Sequence, residues 1–364
     1  MKIAAITAYL ETIAPPFLQE SYDNAGLITG SPSWECTGII TSLDVTEAVV
    51  MEAIEKKSNL IVAHHPIIFG GLKKINGKNY VEKTIIAAIK NDIAIYAIHT
   101  NLDNVLEGVN GRMADKLGLI NRRVLQPKNN TLKKLFTFVP VEFAEKVRNA
   151  IFEAGGGQIS DYSECSFNTE GQGTFKPGEG TNPFSGNIGE RKLENEVKIE
   201  VIFPVWKERV ILAAMIKAHP YEEVAHDIIA LENRQDIVGS GLVGELPEPL
   251  DETAFLQMVK ERFGLSMLRH TPLVGKMVWT VALCGGAGSF LIGPAIGAGA
   301  EFYISSDIKY HEFFDANDRL VVADIGHYES EQFTIDLLLD LLSEKFPNFA
   351  IQKTGVKTNP VQYF

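Results

Sequence analysis

The sequence predicts an α/β fold in which one domain is split by an inserted α+β module. Short apolar runs alternate with helical patterns near both ends of the chain, and three of these runs end in side chains that bind metals. A β-α-β…β-α-β order occupies the middle of the chain. The predicted boundaries are residues 1–127 and 246–364 for the outer domain and residues 128–245 for the insert.

Length and composition restrict the class of protein. A chain of 364 residues is long enough for two or three domains, and 45% apolar and 22% charged residues are typical of globular proteins. A net charge of −12 argues against a general nucleic-acid surface. No apolar stretch reaches the roughly 20 residues of a membrane span. Cys36, Cys165 and Cys284 are scattered and form no C-x-x-C pair, which predicts core cysteines and a cytoplasmic location.

The first outer segment alternates strand and helix patterns. Met1–Ile13 has apolar residues at helical spacing, and two prolines then stop the helix. The sequence next predicts strands at Asn24–Thr29, Cys36–Leu43, Ile61–Ala63 and Ile93–Ile98, and helices at Thr46–Lys57, Tyr80–Asn91 and Val109–Leu117. Helices between successive apolar strands indicate a parallel sheet.

The pattern changes near Gln126. The middle of the chain predicts strands at Lys134–Val139, Glu196–Phe203 and Glu223–Ala230, helices at Phe143–Ala154 and Lys207–Ala218, and an extended segment at Gln158–Phe167. Thr169–Arg191 is rich in Gly, Pro, Asn and Thr, which predicts a long loop or ribbon. This order is typical of a ferredoxin-like module, and Leu246–Pro249 is its expected exit.

The α/β pattern then returns. It predicts helices at Asp251–Phe263, Lys309–Ala316 and Tyr328–Phe346, and strands at Lys276–Leu283, Glu301–Ile304 and Leu320–Ile325. The glycine-rich run Gly285–Ser289 leads into another helix that ends at Ala298. Such a run suits a phosphate at a helix N-terminus, but it lacks the lysine of a P-loop, so a structural turn is favoured.

Three predicted strands end in metal-binding side chains. These are His64 and His65 after the first strand, His99 and Asp103 after the second, and His327 and Glu331 after the third. Ligands of open α/β sheets collect outside the carboxyl ends of the strands, so one site is expected to gather all three ends. The alternative is that these side chains are unrelated polar ends of strands.

The spacing of the candidate ligands favours two ions. His327 and Glu331 are four residues apart at a helix start, so they share one face, and the helix N-terminus keeps His327 neutral. His64 and His65 are neighbours and are expected to bind separate ions, while either Asp103 or Glu331 bridges. Two divalent ions with two carboxylates favour a bound hydroxide and an anionic substrate. Open positions suggest catalysis, and nitrogen and oxygen ligands suit zinc, iron, manganese or nickel.

Three further segments have weaker signals. His99 is interpreted as a residue that supports the ligands or faces the substrate, rather than as a ligand. His311 follows another strand end, and a pocket role and a surface role are equally supported. His219–Glu223 is interpreted as a capped turn rather than a ligand contact.

Five segments carry a resemblance to a known family. They are Ser21–Leu27 (SYDNAGL), His64–Pro66 (HHP), His99–Asp103 (HTNLD), Asp307–His311 (DIKYH) and Gly326–Glu331 (GHYESE). With them the sequence resembles the Nif-three-like family, whose members are often labelled GTP cyclohydrolase 1 type 2 homologues. The resemblance covers about residues 1–122 and 246–364.

The resemblance implies a split Nif-three-like α/β domain and a ring-shaped homohexamer. It implies a dinuclear metal site at His64, His65, Asp103, His327 and Glu331. The insert looks like the PII- or CutA-like module of the longer members, with His219–Glu223 as its most recognisable segment. Ser306 stands where the family usually has glycine, and its side chain is expected to narrow the pocket wall.

Two functions follow as hypotheses. The first is a metal-dependent hydrolase of a nucleotide or similar anionic, ring-containing substrate, with His99 or His311 as proton shuttle. For the cyclohydrolase label, the reaction is hydrolytic opening of a purine imidazole ring with loss of formate. The alternative is a hexameric metal-binding protein that senses a ligand or partner through its insert and has no catalysis of its own.

Overall fold

The computed structural model describes residues 1–364, which form two compact units. The outer unit comprises Met1–Pro127 and Asp236–Phe364, and the insert comprises Lys128–Gln235. The structure therefore ends the insert at Gln235, ahead of the Glu245 boundary expected from the sequence. The reason is that residues 236–245 lead into and form part of a strand that pairs within a sheet of the outer unit.

Fifteen strands and eleven α-helices make up the chain. The strands are β1 Gly26–Thr29, β2 Ile39–Ser42, β3 Leu60–Ala63, β4 Ala94–Ala97, β5 Ile120–Pro127, β6 Leu132–Pro140, β7 Phe167–Phe175, β8 Lys192–Pro204, β9 His226–Leu231, β10 Gly239–Asp251, β11 Arg269–His270, β12 Met277–Ala287, β13 Phe302–Ser306, β14 Val321–Asp324 and β15 Ile351–Lys353. The helices are α1 Ile3–Ile13, α2 Glu47–Glu55, α3 Tyr80–Lys90, α4 Thr100–Asp103, α5 Val109–Leu117, α6 Ala144–Glu153, α7 Glu208–Ala218, α8 Glu252–Phe263, α9 Ile292–Gly297, α10 His327–Glu331 and α11 Thr334–Lys345. None of the helices combines the length and the apolar character that a membrane span needs.

The first sheet of the outer unit has the order β1-β4-β3-β2-β15. Strands β15, β2, β3 and β4 pair in parallel, and β1 pairs antiparallel with β4 at the edge. Every residue of β2, β3 and β4 is buried, as expected for a parallel sheet covered on both faces. The parallel arrangement that the sequence predicts for this segment is therefore present.

The second sheet of the outer unit has the order β11-β14-β13-β12-β10-β5. Its centre, β12, β13 and β14, is parallel, whereas β10, β5 and β11 pair antiparallel. The sequence pattern does not distinguish this sheet from the first. It also gives no prediction of β5, β10, β11 or β15, and it predicts one helix where α10 and α11 are separate.

Local side chains fix the ends of several helices. The side chains of Thr46, Asn79 and Asp251 accept hydrogen bonds from backbone N–H groups in the first turns of α2, α3 and α8. At the other end, Gly118 and Gly264 adopt left-handed conformations with φ of 67° and 64°, which stop α5 and α8. These caps explain why the predicted bounds of those helices differ little from the observed ones.

The insert contains one antiparallel sheet, in the order β7-β8-β6-β9. Its elements run β-α-β-β-α-β, and an apolar cluster joins alternate residues of the sheet, such as Leu135 and Ile199, to α6 and α7. Part of the segment expected as a loop or ribbon, Thr169–Phe175, belongs to β7. The rest, up to Gly189, forms turns beside that strand.

Candidate metal centre

His64 and His65 follow β3 directly, and the structure fixes their rings in different ways. His64 is fully buried, and its Nδ1 lies 2.9 Å from the carbonyl oxygen of Ile98, to which it donates. The Nε2 atom of His64 is therefore the one with a free lone pair. The Nδ1 atom of His65 lies 2.8 Å from Asp44, so its Nε2 also faces the centre.

The first potential metal group consists of His64, Asp103 and Glu331. The Nε2 of His64 lies 3.6 Å from Asp103 Oδ1 and 3.9 Å from Glu331 Oε1. His64 Nε2 and Asp103 Oδ1 are both buried and have no hydrogen-bond partner. Leaving such atoms unpaired costs on the order of 1–3 kcal/mol each, and a cation between them would satisfy both.

The second potential group consists of His65, His327 and Glu331. Glu331 Oε2 lies 2.9 Å from His65 Nε2 and 3.2 Å from His327 Nε2, and the two ring nitrogens are 3.4 Å apart. The Nδ1 of His327 lies 2.6 Å from Asp307, as that of His65 does from Asp44. Each ring thus has one nitrogen held by a carboxylate and the other directed at the centre, as in metal sites with supporting carboxylates.

His99 completes a third group with His64 and His65. Its Nδ1 lies 2.7 Å from Asp23, which also accepts hydrogen bonds from the backbone and hydroxyl of Thr100. Burial opposes ionisation of Asp23, but the hydrogen bonds from His99 and Thr100 outweigh it and lower the pKa to about 2. Asp23 is therefore an anion that orients His99 toward His64 and His65.

The carboxylates and imidazoles of the centre shift one another's pKa values. Burial disfavours the charged form of His65, but hydrogen bonds with Asp44 and Glu331 prevail and raise its pKa to about 10. Burial also disfavours the charged form of His327, but its interactions with Glu331 and Asp307 prevail and raise its pKa to about 9. Burial and the charge of Glu331 raise the pKa of Asp103 to about 7. The carboxylates therefore favour the protonated form of both rings, in contrast to the neutral His327 expected from its place at a helix N-terminus.

The glycine-rich run Gly285–Ser289 leaves room for the side chain of Glu331. Gly286 has a φ of 65°, and a Cβ atom there would lie 2.4 Å from Glu331 Oε1. The N–H of Gly285 donates to Asn110, and that of Gly286 donates to Ser330. These amides are therefore engaged within the protein, which supports the structural interpretation of the run over a phosphate cradle.

The centre lies in a cavity of about 1250 Å³ within the outer unit. Its wall includes exposed aromatic side chains, among them Tyr22, Phe69 and Tyr80, and the C-terminal segment around Thr358 and Asn359. The Thr358 hydroxyl donates to Asp44 over 2.6 Å, and Asn359 donates to Glu329 over 3.0 Å. The end of the chain thus supports the carboxylate that holds His65.

Comparison with known proteins identifies the family. The family model described as Duf34/NIF3 (NGG1p interacting factor 3) matches residues 1–360. The chain belongs to the DUF34/NIF3 family. It is 39% identical to the GTP cyclohydrolase 1 type 2 homologue of Halalkalibacterium halodurans over 100% of both chains. It is 41% identical to the homologue of Bacillus subtilis over 89% of this chain and 87% of the other.

Solved structures agree with this assignment. The Bacillus cereus protein related to NIF3 superimposes with a TM-score of 0.88 at 37% identity, covering 100% of this chain and 99% of the other. A Staphylococcus aureus protein superimposes with a TM-score of 0.78 at 28% identity, again covering 100% and 99%. The mixed α/β architecture with several sheets is therefore that of NIF3 proteins.

Two residues that the sequence connects with the pocket, His311 and Ser306, lie outside the cavity wall. His311 is exposed, stacks near Phe314, and does not line the cavity with the other histidines. Ser306 is buried and donates to the Gly286 carbonyl over 2.6 Å, outside the cavity wall. The expected narrowing of the pocket by Ser306 is therefore absent, because its hydroxyl joins β13 to the end of β12.

The sequence pattern of the candidate metal centre does not identify its supporting residues. Asp44 follows β2 as the histidines follow β3, and that position was the available signal. Asp23 and Asp307 stood inside segments that carried the resemblance, but nothing local showed which histidine each one holds. Thr358 gave no signal, because its role depends on a contact with a residue more than 300 positions earlier.

Proposed function

We propose that the protein is a dinuclear metal-dependent hydrolase of an anionic, nucleotide-like substrate. The observation that carries this proposal is the position of Glu331 between two potential metal groups. Its Oε1 faces His64, whose Nε2 is beside Asp103, and its Oε2 faces His65 and His327. One carboxylate with an oxygen in each group is the arrangement that a bridged pair of ions requires.

The donor set fits two divalent ions. It supplies three imidazoles and two carboxylates, which suit zinc, iron, manganese or nickel without distinguishing them. The two buried atoms without partners, on His64 and Asp103, support an ion in the first group. Two ions leave a net positive charge over the two carboxylates, which favours an anionic substrate. When bound, such ions activate water and polarise the substrate.

The residues of the chain supply the remaining steps. His99, held by Asp23, faces His64 and His65 and is placed to accept and return a proton during hydrolysis. We do not extend this role to His311, which is exposed and outside the cavity wall. The aromatic side chains Tyr22 and Phe69 offer surfaces for a planar ring, and a cavity of about 1250 Å³ has room for a nucleotide.

The labels of the relatives suggest a specific reaction. For GTP, it is hydrolytic opening of the purine imidazole ring with release of formate. The test is to incubate metal-loaded protein with GTP and other nucleoside triphosphates and to measure formate and the loss of purine absorbance. Metal-dependent turnover that falls at least tenfold in His99→Ala supports the proposal. No turnover of any nucleotide at a verified content of two ions per chain would reject it.

The second candidate is a hexameric metal-binding protein that senses a ligand through its insert. The observation that favours it is a separate cavity of about 690 Å³ within the insert. We propose that the insert is a PII- or CutA-like module, which its β-α-β-β-α-β order supports, and that the protein is a cytoplasmic homohexamer. Light scattering tests the oligomer, and a monomer mass at working concentration would remove that part.

A further inference from the structure

The insert has a cavity that the proposed metal chemistry does not use. Its walls come from β7, β8, the turns that follow β7, and the connection between α7 and β9. Val197 and Ile199 pack toward the helices, so the alternating residues Glu196 and Lys198 lie on the opposite face of the sheet. The cavity of about 690 Å³ lies on that face and is within the usual range of small-molecule pockets.

Aromatic rings form the apolar part of the wall. The ring centroid of Tyr221 lies 6.0 Å from that of Phe175 and 6.0 Å from that of Phe184. The ring planes are tilted by 56° and 48°, so they present faces and edges from different directions. Faces of several rings around one space attract a large, weakly hydrated cation.

A buried carboxylate lies beside these rings. Glu196 is 8% exposed, and its Oε1 accepts a hydrogen bond of 2.8 Å from the Tyr221 hydroxyl. No lysine or arginine forms an ion pair with Glu196, and Lys198, which also lines the cavity, pairs with Glu200 over 2.8 Å. Burial of a carboxylate without a cationic partner costs free energy, so a bound cation would stabilise this site.

The backbone makes room for that carboxylate. A Cβ atom on Gly173 of β7 would lie 2.1 Å from Glu196 Oε2, so only glycine allows the observed position. Across the cavity, the N–H of Asn182 donates to both oxygens of Glu222 over 3.0 and 3.2 Å. This contact ties the turns after β7 to the connection after α7, and it adds a further negative charge to the wall.

The chemistry of the wall selects the type of cation. The insert contributes no member to any group of three potential metal ligands. Small inorganic cations such as calcium require about six oxygen ligands, whereas the buried part of this wall offers one carboxylate beside three rings, and its other carboxylates are exposed. We propose that the insert binds a small organic molecule with an alkylated ammonium group, held by Glu196 and enclosed by Phe175, Phe184 and Tyr221.

The test compares choline with 3,3-dimethylbutan-1-ol, which has the same shape without the charge. Isothermal titration of the full-length protein is expected to show saturable binding of choline and at least tenfold weaker binding of the neutral analogue. Glu196→Gln should weaken choline binding at least tenfold, because it removes the charge and keeps the shape. Glu145→Gln is the control: Glu145 is exposed on α6, which packs on the other face of the sheet, and it lies outside the cavity wall, so the affinity should change less than twofold.

A second variant distinguishes a loss of choline binding from a loss of folding. Phe184 is 47% exposed, so Phe184→Ala is expected to keep the thermal transition of the protein and still weaken choline binding several-fold. Equal binding of choline and its neutral analogue would overturn the proposal, as would absence of choline binding. An equal loss of affinity in Glu196→Gln and Glu145→Gln would also overturn it. The metal content should stay unchanged in all these variants, so this result is independent of the hydrolase proposal.

Discussion

The two cavities of the molecule differ in how their charged groups are partnered. In the outer unit, Glu331 contacts three histidines, and two further carboxylates hold the outer nitrogens of His65 and His327. In the insert, Glu196 has only a tyrosine hydroxyl. A surplus of convergent ligand atoms is suited to small, strongly hydrated metal ions, whereas one carboxylate among rings is suited to a large organic cation. The cavities should therefore respond to substitution independently.

Removal of the insert is the largest test of that independence. Replacement of residues 128–235 by a short Gly-Ser join should abolish choline binding and leave a folded protein with unchanged metal content. The reason is that Pro127 and Gly239 are paired neighbours in β5 and β10, so a short link can join the two ends of the outer unit. Calorimetry and elemental analysis provide the measurements. Loss of a cooperative thermal transition would show that the outer unit depends on the insert.

The next effect concerns the metal centre alone. Glu331→Gln keeps the size of the side chain and removes the charge shared by both potential metal groups, so at least one ion per chain should be lost or bind at least tenfold more weakly. Titration of apo protein, followed by elemental analysis, measures the change. Choline binding should be unaffected.

Glu329→Gln is the control for this substitution. Glu329 lies in the same short helix, but its carboxylate accepts from Asn359 rather than from a histidine. Its metal affinity should therefore remain near that of the unchanged protein. If both variants bound metal equally well, Glu331 would not be the bridging residue.

A backbone variant should have a smaller effect on the same centre. Gly286→Ala adds a Cβ atom that would meet Glu331 Oε1, and it places alanine at a φ of 65°. We expect a loss of about 1–3 kcal/mol in the free energy of unfolding and weaker metal binding. Gly293→Ala in α9 meets nothing within 4 Å and should be neutral or slightly stabilising. Equal stability of the two variants would contradict the proposed role of Gly286.

The smallest expected effect lies at the end of the chain. Thr358→Val removes the hydroxyl that supports Asp44 and, through it, His65. Metal affinity should fall about two- to fivefold, less than the roughly 10–100-fold typical of groups that hold a ligand directly. Thr354→Val is the control, because Thr354 bonds Glu52 and not Asp44. A matching loss in both variants would indicate a general effect of the tail.

The sequence predicts which candidate metal ligands lie near one another better than it predicts the sheets that position them. Strand ends and helical spacing are local signals, and the structure places His64 and Asp103 in one potential metal group and His327 in another, both of which include Glu331. The division into two sheets depends on β10, whose strand interior contains two prolines and glycines and gives no strong local pattern. The sequence left open whether β7 is a loop or a ribbon, because nearly all its residues are exposed and it lacks the usual alternation.

The strand pairs at the two ends of the insert affect how the chain folds during synthesis. Leu132 and Leu231 are partners in the sheet of the insert, and Pro127 and Gly239 are partners in the outer unit. The insert is complete before the ribosome reaches α8, so it can form its own sheet while the outer unit still lacks half its strands. Once the insert has formed, its two ends lie close together. Pairing of β5 with β10 then closes a short loop rather than one of the insert's full length, so the entropy cost of closing the loop is smaller.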